Sequence, residues 1–347
     1  MARVTITEVA RHAGVSIASA SRALNGLVAS AETVQKVRAA ALELGYVADD
    51  TARSLKLGRT NQLAYAVADI GNPVYVEMMG AIERVVAEAD YRLVLTKTGD
   101  ADSTVELVRS LGRGFVDGII ISPLRVTDEL VAAIEAAPVP VVVLGRLPAG
   151  SKVDTVMADS AQGMTLVIDH LAAEGRRRPA FINGPVDTTP GRLRLAGFRA
   201  AVAAHPGLSS IETVADDFTI AAGYRAAIEL FDRVDVAPDA LVAANDLIGI
   251  GALHAADDLG LRIPEDVAVT GMDDTELAGV TRPGLTSVDL GAAERGRVAA
   301  QLLIGRLAEP SRSAHTVSVA PSLSIRESTI GAAARNAAGA RDAEAAG

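Results

Sequence analysis

Along residues 5–45 apolar positions recur at helical spacing in three short runs, each bounded by residues that start or stop helices. Thr5 and Glu8 fit a capping box, in which each side chain satisfies a backbone N–H of the other, so a first helix opens there and runs through about His12. Gly14 breaks it. Ser16 can cap a second helix that runs through about Leu24, and Asn25-Gly26 ends it. Ser30 can cap a third, where Val34, Val37, Ala41 and Leu44 form a stripe at spacings of three and four before Gly45 stops it. Val9, Ala10 and Ala13 can pack against Val15, Ala20 and Leu24. Two short helices around a Gly-containing turn, then a third, predict a helix-turn-helix or another small three-helix domain.

From Gln62 the pattern changes to apolar strand-like runs alternating with amphipathic ones. The strands expected are Leu63–Ala68, Arg92–Thr96, Gly118–Ser122, Val139–Leu144 and Thr155–Ala158, then Ala180–Asn183, Thr213–Ala215, Ala240–Ala244, Val267–Gly271 and Thr286–Leu290. Helical stretches such as Val76–Ala89, Ser160–Glu174, Arg192–Ala204, Ala221–Phe231, Leu247–Leu259 and Ala292–Leu307 separate most of them. This alternation predicts parallel sheets with helices on both faces, here two doubly wound lobes of five strands each. Ligands of such folds bind at the carboxyl ends of the strands, which places a cleft between the lobes. The polar residues at those ends, among them Asp69 to Tyr75, Gly145-Arg146, Asn245-Asp246 and Asp273-Asp274, suit a small hydroxylated ligand. Each can also be a plain helix cap.

Composition narrows the function. With no cysteine and five histidines spread apart, the 347 residues offer no thiolate site, no disulfide framework and no zinc centre. No apolar run spans a bilayer and the N-terminus lacks a secretory core, so a cytoplasmic protein without a membrane partner is expected. The net charge of −10 hides an asymmetry: residues 1–60 hold eight Lys/Arg against five Asp/Glu, the rest 25 against 38. A basic head on an acidic body suggests that only the head meets a polyanion.

The polar side of the second helix gives the sharpest chemical signal. Ser16, Ile17, Ala18, Ser21, Arg22 and Asn25 point away from its apolar side. Arginine can grip guanine O6 and N7 with two hydrogen bonds, and small apolar side chains at a recognition helix N-terminus can touch thymine methyls.

These runs resemble the lactose/galactose repressor (LacI/GalR) family. The resemblance rests on Thr5-Ile6-Thr7-Glu8-Val9-Ala10, Ala13-Gly14-Val15-Ser16, Ser19-Ala20-Ser21-Arg22-Ala23-Leu24-Asn25-Gly26, Ala41-Leu42-Glu43-Leu44-Gly45-Tyr46 and Ala52-Arg53-Ser54-Leu55. It implies DNA contacts from Thr5, Ser16, Ile17, Ala18, Ser19, Ser21, Arg22, Asn25, Arg53 and Leu55. Ala52–Leu57 would be a hinge helix, with Leu55 wedged into the operator's central step from the minor groove. The resemblance continues to about residue 330 through Asn72-Pro73-Val74-Tyr75, Arg194-Leu195-Ala196-Gly197-Phe198, Asp217-Phe218 with Gly223-Tyr224, Ala244-Asn245-Asp246 and Gly271-Met272-Asp273-Asp274. It implies an effector pocket lined by Tyr75, Arg146, Arg194, Phe218, Asn245 and Asp273, in a core folded like periplasmic sugar-binding proteins. The chain departs from the family at Ser19-Ala20 (usually Thr-Val), at Ala48-Asp49 (usually Pro-Asn), at Val74 and at Met272 (often aromatic). Asp49 and Asp50 would repel phosphate near the hinge, and Arg53, Lys56 and Arg59 could offset them.

The organisation expected is therefore a helix-turn-helix head (1–48), a hinge helix and linker (49–61), a core (62–330) and a disordered tail without leucine heptads (331–347). The first lobe would take about 62–159 and 290–314, the second 160–289 and 315–330, with crossings near Asp159, Leu290 and Ala314. The function expected is a homodimeric regulator, a repressor of a pseudo-palindromic operator, controlled by a small effector that is a sugar or, less well matched, a nucleoside. A sugar-binding protein without DNA function is the alternative, and the head speaks against it. No Gly-x-Ser-x-Gly elbow, phosphate loop, dinucleotide fingerprint or His-Glu-x-x-His occurs, so neither an enzyme nor a cofactor is expected.

Overall fold

The computed structural model describes residues 4–24, 28–46 and 59–330. The chain divides into two compact units at Thr60 and Asn61.

The first unit contains α1 (Ile6–His12), α2 (Ile17–Leu24) and α3 (Ala31–Glu43). The Thr5–Glu8 capping box forms: Thr5 N donates to Glu8 Oε2 at 2.8 Å and Glu8 N donates to Thr5 Oγ1 at 3.4 Å. Gly14 turns the chain with φ +67°, a left-handed conformation that a side chain would strain. Ser30 caps α3 by accepting from Thr33 N at 3.2 Å. The core is small: Val9, Ala10, Ala20, Ala23, Val37 and Ala40 are buried, with Val15, Leu24, Val34, Ala41 and Leu44 packed against them.

In the second unit each of two sheets has six strands among the described residues, one more than the alternation suggested. The first runs in the order β11 (Thr316–Val319), β5 (Asp154–Ala158), β4 (Val141–Leu144), β3 (Gly118–Ser122), β1 (Gln62–Val67), β2 (Arg92–Lys97). The second is β12 (Ser322–Ser324), β10 (Thr286–Asp289), β9 (Ala268–Met272), β8 (Ala240–Ala243), β6 (Pro179–Asn183), β7 (Ile211–Val214). All pairs are parallel except β10 with β12, which is antiparallel and so departs from the all-parallel expectation. Strand β11 pairs with β5 from Thr316 opposite Thr155 to Val319 opposite Ala158. The third crossing between lobes therefore falls at Ala320-Pro321, not near Ala314, because residues 316–319 still belong to the first sheet. The other two lie at Asp159 and at Leu290-Gly291.

Strand β1 shows why the sheets read as continuous apolar runs. Leu63, Tyr65 and Val67 pack on one side with residues of α4 (Pro73–Glu88) and α12 (Ala292–Ala308). Ala64 and Ala66 face the other side, where Val105 and Val108 of α5 (Ala101–Leu111) and Leu130 and Ile134 of α6 (Asp128–Glu135) cover them. The second sheet is covered by α7 (Ser160–Ala173), α8 (Thr189–Ala203), α9 (Ile220–Arg233) and α10 (Asp246–Asp258), with the short α11 (Glu276–Val280) after β9. Among the described residues no helix is long and apolar enough to cross a membrane.

Candidate functional site

The head presents one face of α2. Ser16, Ile17, Ala18 and Arg22 are exposed, and Ile17 leaves half of its surface in water, which is unusual for isoleucine. Ser16 Oγ accepts from Ser19 N at 3.1 Å, capping the helix whose first turn holds Ile17 and Ala18. Ser19 is half-buried and its hydroxyl pairs with that of Ser16 at 2.9 Å; Ser21 is also half-buried. Arg22 Nε reaches Ala18 O of its own helix at 3.4 Å. The Thr5 hydroxyl is exposed and engaged with Glu8 Oε2 at 2.9 Å. Asn25, Arg53 and Leu55, the Ala48-Asp49-Asp50 hinge sequence and the 331–347 tail lie outside the described residues.

In the core, a cleft lies between the two lobes and encloses about 1000 Å³ of space, open solvent at its mouth included. Tyr75, Arg146, Arg194, Phe218, Asn245 and Asp273 all line it. They come from different strand ends. Asn72 caps α4 by accepting from Val74 N at 3.2 Å, which sets Tyr75 in the first helical turn. Arg146 follows β4 and is exposed at the cavity. Phe218 is placed by three partners: its N–H donates to Asp217 Oδ1 at 2.7 Å, its carbonyl accepts from Asn245 Nδ2 at 3.3 Å, and its ring lies against Gly184. A Cβ at residue 184 would fall 2.2 Å from that ring, so glycine is what lets the aromatic seat there. Asn245 does double duty, because its Oδ1 also caps α10 by accepting from Ile248 N at 2.9 Å.

The two neighbouring acid pairs split. Asp273 faces the cavity, whereas Asp274 turns away to Ser324 Oγ and Arg326 Nη1, each at 2.6 Å. Asp246 is buried behind the wall, where Thr275 N donates to it at 2.7 Å, Thr275 Oγ1 at 2.9 Å, and Ser287 Oγ also donates. Those bonds tether the loop in which Asp273 and Asp274 adopt φ values of +113° and +48°, positions that cost a non-glycine residue energy and need outside support. Burial and the nearby Asp273 charge push the Asp246 carboxyl up to about 7, against the pull of its Ser287 and Thr275 donors.

The floor of the cavity is charged. Arg194 Nη2 donates to Asp273 Oδ1 at 3.0 Å and its Nη1 to the Ala244 carbonyl, with both side chains of the ion pair less than one tenth exposed. The two residues expected to hold a ligand separately thus hold each other. Arg295 of α12 also lines the cavity, and the residue reading did not anticipate it. A signal was present: Arg295 falls on the stripe of Ala292, Gly296, Ala299 and Leu303, the buried side of an otherwise amphipathic helix. Burial pushes the Asp273 carboxyl up while Arg194 and Arg295 pull it down. Burial and then the Asp273 charge push the Tyr75 phenol up to about 12, so it remains a hydrogen-bond donor. Arg194 Nε, Arg295 Nε and Thr189 Oγ1 are buried without a partner among the described residues. Buried polar groups are rarely left so, and these line the cleft, where a ligand could satisfy them.

Away from the crossings the lobes also touch directly. Thr189 N donates to Leu124 O at 2.7 Å, and Arg125 Nε donates to Asp187 Oδ2 at 2.7 Å.

A head with an exposed recognition-type helix and a two-lobed core with a polar cleft, in one chain, define the class of ligand-responsive DNA-binding regulators. Residues 5–49 match the model of bacterial regulatory proteins of the lacI family, and residues 168–329 match a periplasmic binding protein-like domain. The chain is 34% identical over 330 residues to the ribose operon repressor of Escherichia coli (strain K12), covering 93% of this chain and 99% of the relative. Its fold is similar to the lac repressor dimer bound to operator and the anti-inducer ONPF, with TM-score 0.85 and 26% identity over 94% of this chain and 99% of that one. It is also similar to the transcriptional regulator CelR in complex with cellobiose, with TM-score 0.71 and 33% identity over 94% and 100% of the two chains. The chain belongs to the lacI family of bacterial regulatory proteins.

Proposed function

We propose that this protein is a cytoplasmic homodimeric repressor that reads a pseudo-palindromic operator with α2 of each head and is switched by a sugar-class effector held between the core lobes. The observation that carries this reading is the set of unsatisfied buried donors in the cleft, in a chain that also bears a helix-turn-helix. Arg194, Asn245, Asp273 and Thr189 offer donors and acceptors to ligand hydroxyls, and Tyr75 and Phe218 offer faces for an apolar ring side. Ser16, Ile17, Ala18 and Arg22 read base edges, Ser19 and Ser21 support the helix that presents them, and Thr5 adds a contact from the start of α1. Asn25, Arg53 and Leu55 complete the DNA surface. Effector binding alters how the lobes close and so the fitness of the two heads for their half-sites. Arg194 and Asp273 serve binding and not chemistry, so the site is not catalytic. The similarity to a ribose operon repressor and to a cellobiose-bound regulator supports a carbohydrate over a nucleoside.

The test is a selection of random pseudo-palindromes by the full-length protein, followed by titration of the enriched duplex with sugars. Enrichment of one palindrome whose affinity shifts with a sugar supports the reading. Failure to enrich any sequence contradicts it.

A further inference from the structure

Arg295 is the feature of the cleft that a neutral sugar explains least. Its side chain is about nine-tenths buried, it lines the cavity, and its Nε is buried without a hydrogen-bond partner among the described residues. Its nearest acid in the cavity, Asp273, is already bonded to Arg194. Glu77 also feels the Arg295 charge, but it interacts with the backbone of Ala293 and does not line the cavity. The Tyr65 and Tyr75 phenols, which also interact with Arg295, are held neutral by burial. The inner cleft therefore holds two guanidiniums against one carboxylate. Asp69, Asp217 and Arg146 sit on exposed positions, where water screens them. A buried cation without a bonded carboxylate is costly unless something of opposite charge arrives.

We propose that the effector is an anionic polyol, a hydroxylated small molecule with a carboxylate or phosphate monoester, and that its anionic group sits on Arg295. This rests on the cleft being an effector site, as proposed above, and names the class of effector. A guanidinium matches both groups, because its parallel N–H bonds fit the two oxygens of either acid. The ligand's hydroxyls then fall to the Arg194–Asp273 pair, to Asn245 and to the free Thr189 hydroxyl. Arg295 becomes the residue that separates sugar acids and sugar phosphates from neutral sugars.

Calorimetry on the full-length protein with matched series decides it: D-ribose, D-ribonate and D-ribose 5-phosphate; D-glucose, D-gluconate and D-glucose 6-phosphate. In at least one series an acid should bind at least about tenfold more tightly than its neutral parent, and Arg295→Met or Arg295→Gln should erase that preference. The acid that wins tells carboxylate from phosphate. Neutral sugars binding as tightly as their acids, or a preference that survives both substitutions, overturns the proposal. A second readout needs no ligand: Arg295→Met should raise the melting temperature of the ligand-free protein, because it removes a buried charge without a bonded carboxylate. A lower melting temperature in both Arg295→Met and Arg295→Gln shows that the guanidinium is a structural partner and overturns the proposal even if no tested compound binds. A neutral sugar that shifts operator affinity while its acids do not defeats this inference alone. Absence of any operator binding defeats the regulator reading instead.

Discussion

The reading helix of the head and the floor of the cleft solve the same problem, presenting polar groups to a partner, in opposite ways. In the head Ile17, Ala18 and Arg22 are exposed and sit outside the core made of Val9, Ala10, Ala20, Ala23, Val37 and Ala40. In the cleft Arg194 and Asp273 are themselves buried, and each is bonded to the framework that carries it. The lesson is about separability. A change on α2 should alter recognition and leave the fold intact, whereas a change on the cleft floor should alter both.

The largest effect should come from Asp273→Ala. It leaves the buried Arg194 guanidinium without its carboxylate, and breaking a buried pair costs about 3–5 kcal/mol. Urea unfolding followed by circular dichroism should show that loss alongside lost ligand binding; an unchanged midpoint would mean that the cleft is as separable as the head. Gly184→Ala comes next. The new methyl meets the Phe218 ring and must displace it, with an overpacking cost of about 1–3 kcal/mol. Ligand affinity should fall with stability, and retention of both would show that Phe218 is free to move. Arg22→Ala tests the other side of the comparison. Operator affinity should drop by about 1–3 kcal/mol, as for loss of a bidentate base contact, with melting unchanged. A fall in melting temperature would place Arg22 in the architecture of the head.

How much of this was legible in the sequence follows the same division. The head could be read because its caps and breakers act locally: Thr5 with Glu8, Ser16, Ser30, Gly14 and Gly45 each do in the structure what their spacing suggests. The six expected pocket residues share one cavity because strand ends converge in this fold. Arg295 was missed because a charge in a helix is ordinarily assigned to the solvent side, and only its register with Ala292 and Ala299 gives it away. Strand β11 was missed because Thr316 to Val319 alternates polar and apolar at a sheet edge, with no long apolar run to mark it. The pairing of Arg194 with Asp273 could not be read at all, since 79 residues separate them and only the folded sheet brings them together.

Two smaller effects sharpen the comparison inside the core. Asp246 keeps its proton in the folded state up to about pH 7, while an unfolded aspartate loses it near 3.9. The unfolded state therefore sheds a proton first, and the folded core should lose stability as pH rises between those values and level off above. Melting temperatures across that window, against Asp246→Asn as the reference, check the sign; a rise with pH contradicts it. The Arg125–Asp187 contact between lobes is exposed on both partners, so Arg125→Ala should cost no more than about 1 kcal/mol in stability. The Arg125 hydrogen bond holds the Asp187 carboxyl below the usual aspartate range, so its small contribution should be present at neutral pH and fade as pH falls through that range. A difference between Arg125→Ala and the natural protein that persists unchanged in acid would assign the effect elsewhere.

If the cleft controls the head, as proposed, effector and operator binding are thermodynamically linked. Fluorescence anisotropy on the selected operator should be run with and without a compound that calorimetry shows to bind the core. Operator affinity should change by at least about tenfold, and that response should be lost in Asp273→Asn while ligand-free operator binding persists. A compound that fills the cleft of the natural protein and leaves its operator affinity unchanged would contradict the account.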